Sequence, residues 1–162
     1  MKQVCTFCLF AVIAVAFTTS LRAASDDAVI VGPPPCNVTR PNGQGPILDS
    51  VSPDLHGNGL ISTHLWRDGT VAFTRKGPGR VRSDGSLAMP WVWHRAVRGQ
   101  LRIDGRRLDE AAPPLRADVP AGYGDYGFQS SALIFPTPGC WEVTGRVGSA
   151  HLTFVTLVEA DR

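Results

Sequence analysis

The sequence predicts an all-β domain, an antiparallel β-sandwich, and three observations carry that expectation. Short apolar runs recur between Gly, Asn, Asp and Pro turn formers beyond residue 54. From Trp141 to Val147 the chain alternates, with Trp141, Val143, Gly145 and Val147 on one face and Glu142, Thr144 and Arg146 on the other, as in a half-buried strand. No window of helical length shows a 3.6-residue apolar period with caps at its ends. A small closed β-barrel is the alternative architecture.

The first element in chain order is a leader. Lys2 is the only charge before an apolar run from Val4 to Phe17, followed by Thr18, Thr19, Ser20 and then the small residues Ala23, Ala24 and Ser25. That order of charged, apolar and small regions is that of a secretory signal peptide over residues 1–25, cleaved after Ala23 or Ser25. The apolar run has 14 residues, short of the roughly 20 that a helix needs to cross a hydrocarbon core. The alternative is an uncleaved leader acting as a membrane anchor. Cys5 and Cys8 lie too early in the run, without flanking small residues, for a lipoprotein site. The expected address is therefore secreted or periplasmic.

Residues 26–53 read as an extended arm. Gly32, Pro33, Pro34, Pro35, Pro41, Gly43, Gly45, Pro46 and Pro53 fix or loosen the backbone and remove donors, so no helix starts here. Residues 54–162 form the sandwich domain. Asp68-Gly69 lies between the runs 60–66 and 71–74, and Asp104-Gly105 between 100–103 and 106–108. Both pairs predict hairpins, because tight mirror-image turns need positive φ. A third hairpin is predicted across Gly148-Ser149, joining 140–147 to 150–158; the second run is apolar and β-branched on both faces, as in a central strand.

Composition narrows the function classes. Without its leader the chain has 137 residues, one domain in size, with 14 basic and 14 acidic groups. Ten basic residues against three acids fall between Arg67 and Arg107. These charges read either as a face for acidic partners or as solvent-facing strand residues; no aromatic-interleaved basic motif accompanies them, which argues against nucleic acid. Cys36 and Cys140 survive leader removal, and an even pair in an oxidising compartment suggests one disulfide. Two free thiols are the alternative, while two Cys without a neighbouring His or Cys fall short of a zinc set.

The segment Phe135-Pro136-Thr137-Pro138-Gly139-Cys140-Trp141-Glu142-Val143, followed by Leu152-Thr153-Phe154-Val155, resembles the last two strands of immunoglobulin-like modules in exported bacterial proteins. The resemblance covers about residues 130–158. It implies an immunoglobulin-like β-sandwich of an exported family without an assigned activity. Antibody domains place both cysteines in strands of opposite sheets, whereas Cys36 lies in the arm, so the expected bridge staples the arm to the corner before Trp141.

Motifs for chemistry are sparse. Gly122-Tyr123-Gly124-Asp125-Tyr126-Gly127 fits G-x-G-x-x-G, but no strand–helix context surrounds it, so a Gly/Tyr rim loop is the plainer reading. Ser130 and Ser131 lack a nucleophile elbow. His56, His64, His94 and His151 show no metal-ligand spacing. Asn37-Val38-Thr39 is an N-glycosylation acceptor triplet, relevant only in a eukaryotic source. Trp91 and Trp93 straddle Val92 on one face of a strand and read either as core or as a stacking platform, with Arg95, Tyr123 and Tyr126 as further ligand contacts.

The sequence therefore points to an exported, non-catalytic, monomeric domain without a cofactor. It would contact an unknown protein or glycan partner, with membrane contact only through an uncleaved leader. A hydrolase or metal-dependent enzyme assembled across strands would instead bring two histidines and a carboxylate into one pocket. A purely structural envelope protein would bury Trp91 and Trp93 and leave no exposed aromatic patch.

Overall fold

The computed structural model describes residues 35–45, 52–66, 68–74 and 76–160; the proposed leader and the first part of the arm lie outside the described residues. Ten strands follow in order: β1 (Leu55–Gly57), β2 (Ile61–His64), β3 (Thr70–Phe73), β4 (Arg80–Val81), β5 (Leu87–Arg95), β6 (Arg102–Arg107), β7 (Arg116–Asp118), β8 (Gly127–Phe135), β9 (Gly139–Val147) and β10 (Ala150–Ala160). One sheet runs β1-β2-β5-β8-β7, with β4 also on β5, and the other runs β3-β10-β9-β6. The protein is thus all-β in two sheets, and the closed-barrel alternative is not what forms.

The two sheets press their apolar faces together. From β5, Leu87, Met89, Trp91 and Trp93 point inward; from β9 and β10, Trp141, Val143, Val147, Leu152, Phe154 and Val158 meet them. Trp91 stacks on Phe154 at 5.4 Å and 8° between planes, while Trp93 lies 6.0 Å from Phe154. Gly145, on the inner face of β9, is the position where a Cβ would run into the Trp93 ring. The gap in the apolar series at residue 145 is therefore a socket for tryptophan.

Of the three expected hairpins, one forms as expected. Val147 pairs with Ala150 across Gly148-Ser149, and Gly148 takes φ 58°. Asp68-Gly69 does not turn β2 back on itself. The chain crosses there to the second sheet, where β3 joins β10 in parallel with Thr70 opposite Leu157, the one departure from antiparallel pairing. Asp104-Gly105 lies inside β6, with Gly105 opposite Val143. A Cβ at Gly105 would come 2.7 Å from the Glu142 carbonyl and 3.0 Å from Leu115, so close packing rather than a turn requires this glycine.

The arm hydrogen-bonds to both sheets. Thr39 N donates to Val155 O of β10, and Val155 N donates to Thr39 Oγ1. Three residues on, the Asn42 side chain pairs with both backbone groups of Gly57 on β1. Cys36 bonds to Cys140 at the start of β9, closing a sequence separation of 104. The bridge joins arm to corner, as expected. In the chain-entropy picture a loop of this size contributes up to about 4–5 kcal/mol of stability.

Candidate functional site

β5 has two faces of opposite character. Its odd-numbered residues are buried, and its even-numbered residues Val92 and His94 look outward from the larger sheet. The register sets His94 opposite Phe128 on β8 and opposite Ser62 on β2, so His64, two residues beyond Ser62, shares that outer face. The outcome is a row of rings across three strands. Tyr123 lies 5.5 Å from Phe128, Phe128 lies 5.7 Å from His94, and His94 lies 6.0 Å from His64. Phe128 is 46% exposed, so the row presents an apolar ring to solvent.

A groove of about 440 Å³ follows this row, lined by His64, Trp66, Pro90, Trp91, Val92, His94 and Phe128. It exists because β5 is unpaired on one edge between the residues held by β4 (Leu87, Ala88) and those held by β2 (Trp93–Arg95). Pro90, which lacks an N–H, sits in that gap. Trp66 borders the groove, its ring 5.1 Å from Trp91. A second depression, around Pro53, Asp54, His64, Leu65 and Trp66, continues from it.

One end of the groove is polar. Asp54 Oδ2 meets His64 Nδ1 at 3.1 Å, which leaves His64 Nε2 as that ring's unengaged nitrogen, and Ser52 Oγ donates to the other oxygen of Asp54. The Ser52 hydroxyl, with help from His64, holds the Asp54 carboxyl below the usual range. Burial, assisted by the nearby His64, lowers the pKa of His94. Neither nitrogen of His94 has a hydrogen-bond partner among the described residues. His56 and His151 lie elsewhere, on β1 and β10.

The sequence-based candidates separate. Trp91 and Trp93 are 2% and 0% exposed and belong to the core, and of the two Trp91 also lines the groove. The period-2 pattern correctly placed them on one face, but that face is the core. Trp91 Nε1 donates to Thr63 Oγ1 at 2.8 Å. Arg95 is also buried and serves the rim loop. Its guanidinium donates to carbonyl oxygens of Gly99 (2.9 Å), Tyr123 and Gly124 (3.3 Å) and Gly127 (3.4 Å), gathering the Gly/Tyr segment onto the end of β5. Tyr123 and Tyr126 remain exposed; Tyr123 extends the ring row, and Tyr126 lies under the Arg98 guanidinium at 5.9 Å. Sequence reasoning did not single out Phe128; it set Trp66 among the notable aromatics and His64 among four scattered histidines without joining either to His94. The outward parity of His94, once the tryptophans are taken as core, is the signal that leads to them.

Three arginines of the basic stretch, Arg98, Arg106 and Arg107, are ion-paired among the described residues, as are Arg116 and Arg146 beyond it. Arg98 pairs with Asp125, Arg106 with Glu142, Arg107 with Asp109 and Glu110, Arg116 with Asp84, and Arg146 with Asp104. Among the described residues no group of three or more His, Cys, Asp or Glu gathers to hold a metal ion. No protein-family model matches the chain, and no curated protein or solved structure resembles it significantly.

Proposed function

We propose that the protein is an exported, non-catalytic binding domain with an immunoglobulin-like sandwich, and that its ligand is an envelope or extracellular glycan seated in the groove beside Trp66, His94 and Phe128. The carrying observation is the ring row itself. Rings and imidazoles together suit a saccharide, whose C–H faces stack on rings while its hydroxyls exchange hydrogen bonds with ring nitrogens. The leader pattern and the arm-to-corner disulfide support export. The Pro-Gly corner before Trp141 supports the immunoglobulin-like reading.

An enzyme is the second reading, favoured by His64 and His94 standing together beside Asp54. Against it, Ser52 bonds the carboxylate rather than an imidazole, so the cluster lacks an activated hydroxyl.

Co-sedimentation with purified cell-wall polysaccharides, with Trp fluorescence as the readout, tests the binding reading. The protein should bind saturably, and Trp66→Ala and Phe128→Ala should each weaken binding about tenfold while leaving the unfolding midpoint nearly unchanged. No retention by any polysaccharide fraction, or equal binding by both variants, would overturn it. Turnover of the polysaccharide that disappears in His64→Ala would establish the enzyme instead.

A further inference from the structure

We infer that His64 and His94 form an open, two-imidazole site for a divalent transition-metal ion, copper(II) foremost, on the wall of the groove. The inference does not rest on the glycan reading. The two rings come from neighbouring strands and stand 6.0 Å apart between centroids. Two imidazoles that share an ion through metal–nitrogen bonds of about 2.0–2.1 Å place their centroids about 5–6 Å apart.

His64 is prepared for this role. Its Nδ1 is held by Asp54, which directs Nε2 away from the carboxylate, the outer-shell arrangement found behind metal-bound histidines. Asp54 is fixed in turn by Ser52. His94 contributes nitrogens that no described group uses, although the ring is half-buried against Phe128. Both rings line the same groove, whose volume of about 440 Å³ leaves room for the remaining coordination positions to be filled by water or by a docked ligand. Only two protein ligands are supplied. The Irving–Williams order then places copper(II) ahead of zinc.

Histidine-ring NMR spectra of the full-length, oxidised chain, recorded as copper(II) is added below one equivalent, test the site. The His64 and His94 ring signals should broaden first, while His56 and His151 stay sharp. In equilibrium titrations His64→Ala and His94→Ala should each weaken copper binding at least tenfold. Asp54→Asn should weaken it by about tenfold through His64 alone, and zinc should bind more weakly than copper. His94→Phe, which keeps a ring beside Phe128, replaces His94→Ala if that variant fails to fold. Equal broadening of all four histidines, broadening of His64 alone, or broadening that persists in His94→Phe would overturn the site. No saccharide is present, so the outcome is separate from that of the glycan experiment.

Discussion

The two faces of β5 differ more from each other than either differs from the strands beside it. Trp91 and Trp93 are buried in the core against Phe154 and Gly145, with Trp91 reaching the groove only as part of its lining, whereas Val92 and His94, one residue away, look onto that groove with Phe128 and Trp66. Aromatic rings occur on both faces, so residue type alone does not assign a role. On the inner face a ring gains dispersion contacts on all sides and any change of volume is felt. On the outer face a ring keeps one side in water, so the fold depends on it less.

Substitution should expose this contrast most strongly at paired positions. Trp93→Ala should cost about 3–5 kcal/mol in denaturant unfolding, since it empties a filled interior. Phe128→Ala, on the outer face, should cost less than about 1 kcal/mol. A similar loss at both would mean that Phe128 is held by packing, and the outer face would lose its claim to function. Gly145→Ala comes next, with an expected cost of about 1–3 kcal/mol from pushing a Cβ into the Trp93 ring. If it unfolds at the same midpoint as the parent, the socket is less tight than its geometry.

The smallest effect is one of pH. Burial lowers the pKa of His56 and of His94 below 6.5, with His64 adding to the effect at His94. The unfolded chain therefore takes up protons first as the medium is acidified. Stability that is complete above pH 6.5 should fall as the pH drops below that value and level off below the folded pKa values. Melting midpoints between about pH 7.5 and 5.5 should show this slope, with His94→Phe flattening it. An unchanged slope in that variant would assign the loss to other groups.

Local patterns were readable where the governing interaction is local. The turn at Gly148-Ser149 and the alternation from Trp141 need only neighbouring residues, and both are present. Asp104-Gly105 carries the same letters as a turn, yet its glycine is required by the Glu142 carbonyl and by Leu115. Asp68-Gly69 does bend the chain, but the destination of the bend depends on β10, almost ninety residues later. The pairing of Cys36 with Cys140 followed from there being two cysteines left to pair. The meeting of His64 with His94 did not follow from spacing, because it depends on the β2–β5 register. Arg95 reads as a ligand contact in the sequence because it follows Trp91 and Trp93 on the same strand; its burial becomes tolerable only when the loop carbonyls converge on it.

The arm-to-corner disulfide also determines how the protein would carry mechanical load. Cys36 is bonded directly to Cys140, so tension applied to the chain ahead of Cys36 enters β9 through sulfur. The residues between the two cysteines, including the groove and every strand from β1 to β8, stand outside the path of force. Only the β9–β10 hairpin lies between that bond and the last described residue. The covalent path through the oxidised domain therefore skips residues 37–139, and its extended length under tension is shorter than that of the reduced chain by that whole loop.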